Sequence, residues 1–333
     1  MLCCYHPTSV FAIDDNHEFL TALSQHLSLP NLSCFSSPSK ALALLQPQNP
    51  FSEIQSTLIT TTRSHYNDTD DVSEQEAIIV NLRKLHHIIN DANRFDTVSV
   101  ILIDYHMDKI NGIDICQQLT KHPAKKILLT GGQDKEKIAI EAFNNGIIHR
   151  FINKSDPNFT THLKYTIALL KEAYFRDLTN AIIPDSHPIM KLLRNASYHN
   201  FCRNLHAQVN ADEYYLLDNS GSILYFTNNE PTWLIIRSIE ELENYANIAS
   251  ETENGDGIAE KIRNRKSIPF FFTENDFNTT VCKWETYMHK AHPLPGVKGY
   301  YYSIINGDTH GYLDRTQMIT RSSDANSRVQ TFI

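Results

Sequence analysis

The most constraining feature of this chain is a rhythm in its first half, where short apolar runs that stop on polar residues alternate with amphipathic stretches. Ser9–Ile13 stops at Asp14-Asp15, after which Phe19, Leu20, Leu23 and Leu27 recur at helical spacing. A strand is expected around Leu32–Phe35, and Ser36-Ser37-Pro38-Ser39 reads as a helix start before Ala41–Leu45. Val98–Ile103 is apolar enough to be buried on both faces, and it ends on Asp104. A helix over 112–121 leads to a strand over 126–129, which ends at Thr130-Gly131-Gly132. A helix over 134–145 closes at Gly146, and a strand over 147–153 runs into Lys154 and a helix over about 157–176. Such alternation predicts a doubly wound α/β domain, a five-stranded parallel sheet with helices on both faces.

In sheets of this kind the ligand site lies outside the carboxyl ends of the strands. The residues placed there are Asp14, Asp15, Asp104, Thr130 and Lys154. Three carboxylates, a hydroxyl and an ammonium on one edge suit phosphoryl transfer to a carboxylate. A phosphoryl group is anionic, so its approach to a carboxylate calls for a hard cation such as Mg²⁺, which takes oxygen ligands. Asp15 and Asp104 are the expected ligands, with Asp14 direct or through water and the His106 backbone carbonyl completing the set. Asp104 is the expected nucleophile. Lys154 would pair with one phosphoryl oxygen, and the Thr130 hydroxyl would donate to another.

These residues resemble, position by position, the receiver domain of response regulators in two-component signalling. The likeness rests on Asp14-Asp15, on Asp104-Tyr105-His106-Met107 with Gly112 eight residues past the aspartate, on Thr130-Gly131, and on Lys154. It implies a flavodoxin-like fold over 1–177, with Asp104 accepting a phosphoryl group from a sensor histidine kinase or phosphotransfer protein. It also implies a switch in which Phe151, three residues before the lysine, changes rotamer as Thr130 moves. The chain departs from the family in two places where proline is usual, with Asp108 after Met107 and Ser155 after Lys154. It departs further in length, since Asp15 and Asp104 stand 89 residues apart, about twice the usual separation.

The excess is an insertion at about 47–94, between the second helix and the third strand. Residues 59–73 read as a polar loop, in which Asp68-Thr69-Asp70-Asp71 lacks a complete calcium-loop pattern. Residues 74–93 read as an amphipathic helix, with Ile78, Leu82, Leu85 and Ile89 on one face and His86-His87 as surface residues. After a Pro-containing linker at 178–188, residues 189–315 are expected to form an α+β output domain with an antiparallel sheet, followed by a tail at 316–333. Its expected order is a helix over 188–207, a hairpin over 214–226, helices over 238–250 and 257–265, and strands over 268–273 and 298–305.

The net charge of −8 argues against a surface built to coat nucleic acid or an anionic membrane. No apolar run approaches a membrane span of about 20 residues. Six scattered cysteines without a C-x-x-C pair argue against structural zinc and a disulfide framework, so a cytoplasmic chain without a signal peptide is expected. No output enzyme is expected, because neither a phosphate-binding glycine loop nor a nucleophile elbow occurs. For the second domain, DNA binding through Lys191, Arg194, Arg203, Lys261, Arg263, Arg265 and Lys266 stands as one option. A small-molecule or nucleotide sensor and a protein-interaction module are the others. An unphosphorylated scaffold with a degenerate receiver is the rival reading of the whole chain. The arrangement also resembles bacterial quorum-sensing response regulators, which would imply a kinase answering a diffusible signal and regulation of gene expression. A homodimer through helix 134–145, strand 147–153 and helix 157–176 is the expected means of transmission.

Overall fold

The computed structural model describes residues 1–29, 31–45, 59–63, 76–80, 92–108, 110–132, 136–227, 230–271, 274–308 and 331–332. It divides into two compact units, each built on its own sheet. One comprises Pro7–Ile54, Asp91–Ala181 and Ile319–Ile333; the other comprises Met1–His6, Gln55–Asn90 and Ile182–Met318.

The first unit is the α/β domain. Its sheet runs in the order Leu32–Phe35, Ser9–Ile13, Val98–Asp104, Lys125–Thr130, Arg150–Asn153, all parallel, with Thr331–Phe332 added beside Leu32–Phe35. Val100 to Ile103 are fully buried, as a central strand covered on both faces requires. On one face the sheet packs on Leu20, Leu23 and Leu27 of helix His17–Leu27 and on Leu163, Ile167 and Leu170 of helix Phe159–Ile182. On the other it packs on Ala41, Ile115, Cys116, Ala139 and Ala142, from helices Pro38–Leu44, Gly112–Gln118 and Glu136–Asn144.

Several boundaries differ from expectation. The fifth strand begins at Arg150 instead of 147, because Ile147 and Ile148 give their N–H groups to the Ala142 carbonyl and close the preceding helix beyond Gly146 (φ +69°). The last helix continues to Ile182, through the first residues of the expected linker, since the first residue able to stop it is Pro184. In the insertion, Ile59–Arg63 and Glu76–Val80 are antiparallel strands, not a loop and the start of a helix. Both segments carry β-branched runs, Ile59-Thr60-Thr61-Thr62 and Ile78-Ile79-Val80, whose stiff side chains favour extended backbone. The Asp68–Asp71 cluster and His86-His87 lie outside the described residues.

The second unit is an antiparallel sheet in the order Cys4–Tyr5, Glu213–Leu216, Ile223–Phe226, Pro231–Ser238, Tyr300–Asn306, His292–Pro293. Its strand Pro231–Ser238 is absent from the expected elements, although all but its last residue is buried. The hairpin turn at Asp218–Gly221 is held by the Asp218 carboxylate, which accepts N–H groups of Ser220 and Ser222, with Gly221 at φ +87°. The expected helix over 188–207 is two helices, Ile189–Leu193 and Ala196–Val209. They are separated at Asn195, whose side chain accepts from the N–H groups of Ser197 and Tyr198. Helix Ile239–Ser250 starts in a capping box between Ser238 and Glu241, and Asp256–Arg263 comes next. Of the expected strand 268–273, residues 268–269 belong to the strand Ser267–Pro269, which pairs with Met288–Lys290 in a separate two-stranded ribbon, while 272–273 lie outside the described residues.

The grouping therefore differs from the expected scheme of 1–177, 178–188, 189–315 and 316–333. Cys4–Tyr5 pairs with Tyr214-Tyr215, and Thr331–Phe332, placed in the expected tail, pairs with Cys34-Phe35. Backbone hydrogen bonding at a sheet edge can recruit any nearby extended segment, whatever its side chains.

Candidate phosphoacceptor site

The five rim residues come together at the carboxyl edge of the parallel sheet. Asp14 follows the strand Ser9–Ile13, Asp104 and Thr130 end their strands, and Lys154 follows Arg150–Asn153. Lys154 Nζ lies 2.5 Å from Asp14 Oδ2 and 2.8 Å from Asp104 Oδ1, so one ammonium bridges two buried carboxylates. Each of the three carboxylates also accepts a backbone N–H. Asn16 N–H donates to Asp14 Oδ1 at 2.9 Å, His106 N–H to Asp104 Oδ2 at 3.2 Å, and Asp108 N–H to Asp15 Oδ2 at 2.9 Å. Burial raises the Asp14 carboxyl above the usual carboxylate range, while the Lys154 ammonium and the Asn16 N–H pull it back.

Carboxylate oxygens from Asp14, Asp15 and Asp104 lie within 4.8 Å of one another. An all-oxygen set with several negative charges fits a hard divalent cation such as Mg²⁺ and offers nothing soft for zinc or copper. Thr130 is fully buried, and its hydroxyl has no hydrogen-bond partner among the described residues. A buried hydroxyl left without a partner costs about 1–3 kcal/mol, so this atom is poised for an acceptor that arrives. Phe151 is half-buried and packs against the core on the side of Phe11, Phe35 and Ile103.

Gly112 owes its identity to a close approach. A Cβ there would stand 2.2 Å from the Asp104 carbonyl oxygen, and Gly112 N–H donates to the Tyr105 carbonyl at 2.9 Å. At Gly131 a Cβ would meet nothing within 4 Å among the described residues. Both positions where the resembled family carries proline use their N–H here. Asp108 donates to Asp15, and Ser155 N–H donates to Asn153 Oδ1 at 2.9 Å, closing the turn after Lys154.

Sequence reasoning missed Phe19. Its ring centre lies 4.1 Å from Lys154 Nζ, and Phe159 tilts against it at 6.0 Å. The signal was present as an aromatic four residues past Asp15, but helical spacing assigned it only to the core face.

In the second unit, several basic residues considered for DNA contact have partners within the unit. Lys261 pairs with Glu285 at 2.5 Å and Arg265 with Glu243, while Arg263 donates to Asn247 and Ser250. Arg194 pairs with Asp185 and Arg203 donates to Asn200, while Lys191 and Lys266 are exposed. Phe271 fills the centre of the ring cluster formed by Tyr245, Phe277, Trp284 and Tyr287, with centroids 4.8–6.0 Å away, as in a packed core.

No family model and no curated protein sequence matches the chain. Among solved structures, the Legionella pneumophila response regulator LqsR is similar over 98% of this chain and 96% of its own, at 23% identity and a TM-score of 0.75. A response regulator receiver domain from Clostridium thermocellum aligns over 50% of this chain and 95% of its own, at 17% identity and a TM-score of 0.31. The likeness to LqsR shows the fold: over nearly its whole length the chain shares that structure's architecture, which here is an α/β unit on a parallel sheet and a second unit on an antiparallel sheet. Among the described residues, no helix is long and apolar enough to cross a membrane.

Proposed function

We propose that this chain, having the fold of a receiver-bearing response regulator, accepts a phosphoryl group on Asp104 and passes the change to its second unit. The observation that carries the proposal is the Lys154 ammonium between Asp14 and Asp104, on the same edge as the Thr130 hydroxyl, which has no partner among the described residues. In the reaction an Asp104 oxygen bonds to phosphorus as the donor's P–O or P–N bond breaks, and the leaving group takes the electron pair. Asp14, Asp15, Asp104 and the His106 carbonyl would hold Mg²⁺, which when bound offsets the charge of the phosphoryl oxygens. Lys154 neutralises the carboxylates before transfer and pairs with a phosphoryl oxygen after it. Thr130 donates its hydroxyl to another, vacating space that Phe151 fills.

The natural donor on this reading is a sensor histidine kinase or a phosphotransfer protein, with the chain in the cytoplasm. The outcome is regulation of gene expression, with a quorum signal as the stimulus class. Transmission runs through a homodimer made by helix 134–145, strand 147–153 and helix 157–176, on which Phe143, Tyr165 and Leu169 are exposed apolar residues.

Incubation of the full chain with a small acyl phosphate and Mg²⁺ tests the assignment by intact mass. The parent gains one phosphoryl group and Asp104→Asn gains none. A phosphoryl group retained by Asp104→Asn, or mapped to another residue, overturns it.

A further inference from the structure

We infer that Asp108 is a positioning residue for the cation site, acting through its backbone N–H on Asp15; the inference rests on the Mg²⁺ assignment above. Asp14 and Asp104 are buried, and each has one oxygen held by a backbone N–H and the other by Lys154. Asp15 is the most exposed of the three, and Lys154 pairs with the other two carboxylates instead. The partner the structure gives it, among the described residues, is the Asp108 N–H at 2.9 Å. That bond joins the loop after the first strand of the parallel sheet to the loop after Asp104, across 93 residues of sequence.

A carboxylate open to water and free to rotate must be ordered before it can hold an ion, at a cost in side-chain entropy. Holding Oδ2 from the protein side removes much of that cost. The device is a property of the backbone at position 108 and not of the Asp108 side chain, which is exposed. Only proline abolishes it, because only proline lacks the N–H.

Calorimetric titration of the full-length chain with Mg²⁺ alone measures this without any phosphoryl donor. Asp108→Pro should bind about threefold to tenfold more weakly than the parent, the range expected for one lost hydrogen bond. Asp108→Asn, which keeps the N–H, should recover most of that affinity. An Asp108→Pro protein that melts with the parent and binds Mg²⁺ equally well overturns the inference. A parent that binds no Mg²⁺ instead overturns the cation assignment on which it rests. If Asp108→Pro fails to fold, amide exchange in the metal-free parent decides. The Asp108 N–H should exchange several-fold faster in Asp15→Ala, and an unchanged rate overturns the proposal.

Discussion

The Lys154 ammonium sits over the Phe19 ring, 4.1 Å from its centre, while bridging Asp14 and Asp104. The lysine is thus held between a π-face and two carboxylates, and Phe19 limits where the ammonium can go. Phe19→Leu should destabilise the α/β unit by about 1–2 kcal/mol, from the lost cation–π contact and lost ring packing. Phe19→Tyr should keep most of it. Both tryptophans, Trp233 and Trp284, belong to the other unit, so the measurement is amide exchange in the strands Ser9–Ile13 and Val98–Asp104.

Gly112 should tolerate no side chain. A Cβ 2.2 Å from the Asp104 carbonyl oxygen must displace either the helix start or the strand end that carries the acceptor. Gly112→Ala is expected to cost about 1–3 kcal/mol as an overpacking substitution and to slow phosphoryl uptake at Asp104. Wild-type exchange protection together with wild-type uptake would contradict the geometry.

His122 and His149 should make the α/β unit sensitive to acid. Burial, reinforced by nearby lysines, pushes each imidazole down to about 4. Each Nδ1 accepts a backbone N–H, from Ala124 and Lys126 respectively, and protonation would break that bond. The folded values lie below the unfolded value of about 6.5, so the stabilisation is complete above that pH and is lost as pH falls towards 4. By pH 5 the loss should be about 1 kcal/mol for each histidine, solvent screening of these half-buried rings included. Exchange protection compared at pH 7 and pH 5 checks this, after correction for intrinsic exchange rates, and His149→Asn should flatten the difference.

Arg237 should be the most costly charge to remove from the antiparallel unit. Its side chain is almost fully buried and donates to Asp218 at 2.8 Å, to Ser222 and to the Ile236 carbonyl. Arg237→Met strips Asp218 Oδ2 of its ion-pair partner and should cost about 3 kcal/mol, the low end for a broken buried pair because water still reaches Asp218. Unfolding in urea followed by tryptophan fluorescence reports on this unit, and a loss near zero would show that Asp218 is solvated well enough alone.

The rim residues were legible because each directly follows, or ends, a run whose apolar character marks a buried strand. Asp104 after Val98–Ile103 is the clearest case. The contacts that hold them were not legible. Asp108 reaches Asp15 through its backbone, and no side-chain identity announces that. Phe19 looks like any core aromatic until Lys154 arrives from 135 residues further along. In the second half, Pro231–Ser238 passed unnoticed because a continuous apolar run has no period, and the cap at Ser238 signals only the helix Ile239–Ser250. Ile78 and its neighbours fit a helical stripe as well as a strand, and the antiparallel partner at Ile59–Arg63 decided between them.

By itself the sequence determined the parallel sheet and the chemistry at its edge, since periodicity and burial are local properties written in side chains. Tertiary structure alone decided where the extended termini pair, Cys4–Tyr5 on one sheet and Thr331–Phe332 on the other. Edge pairing is made by backbone amides and carbonyls, which every residue but proline carries in full, so no pattern of residue types could have foretold it.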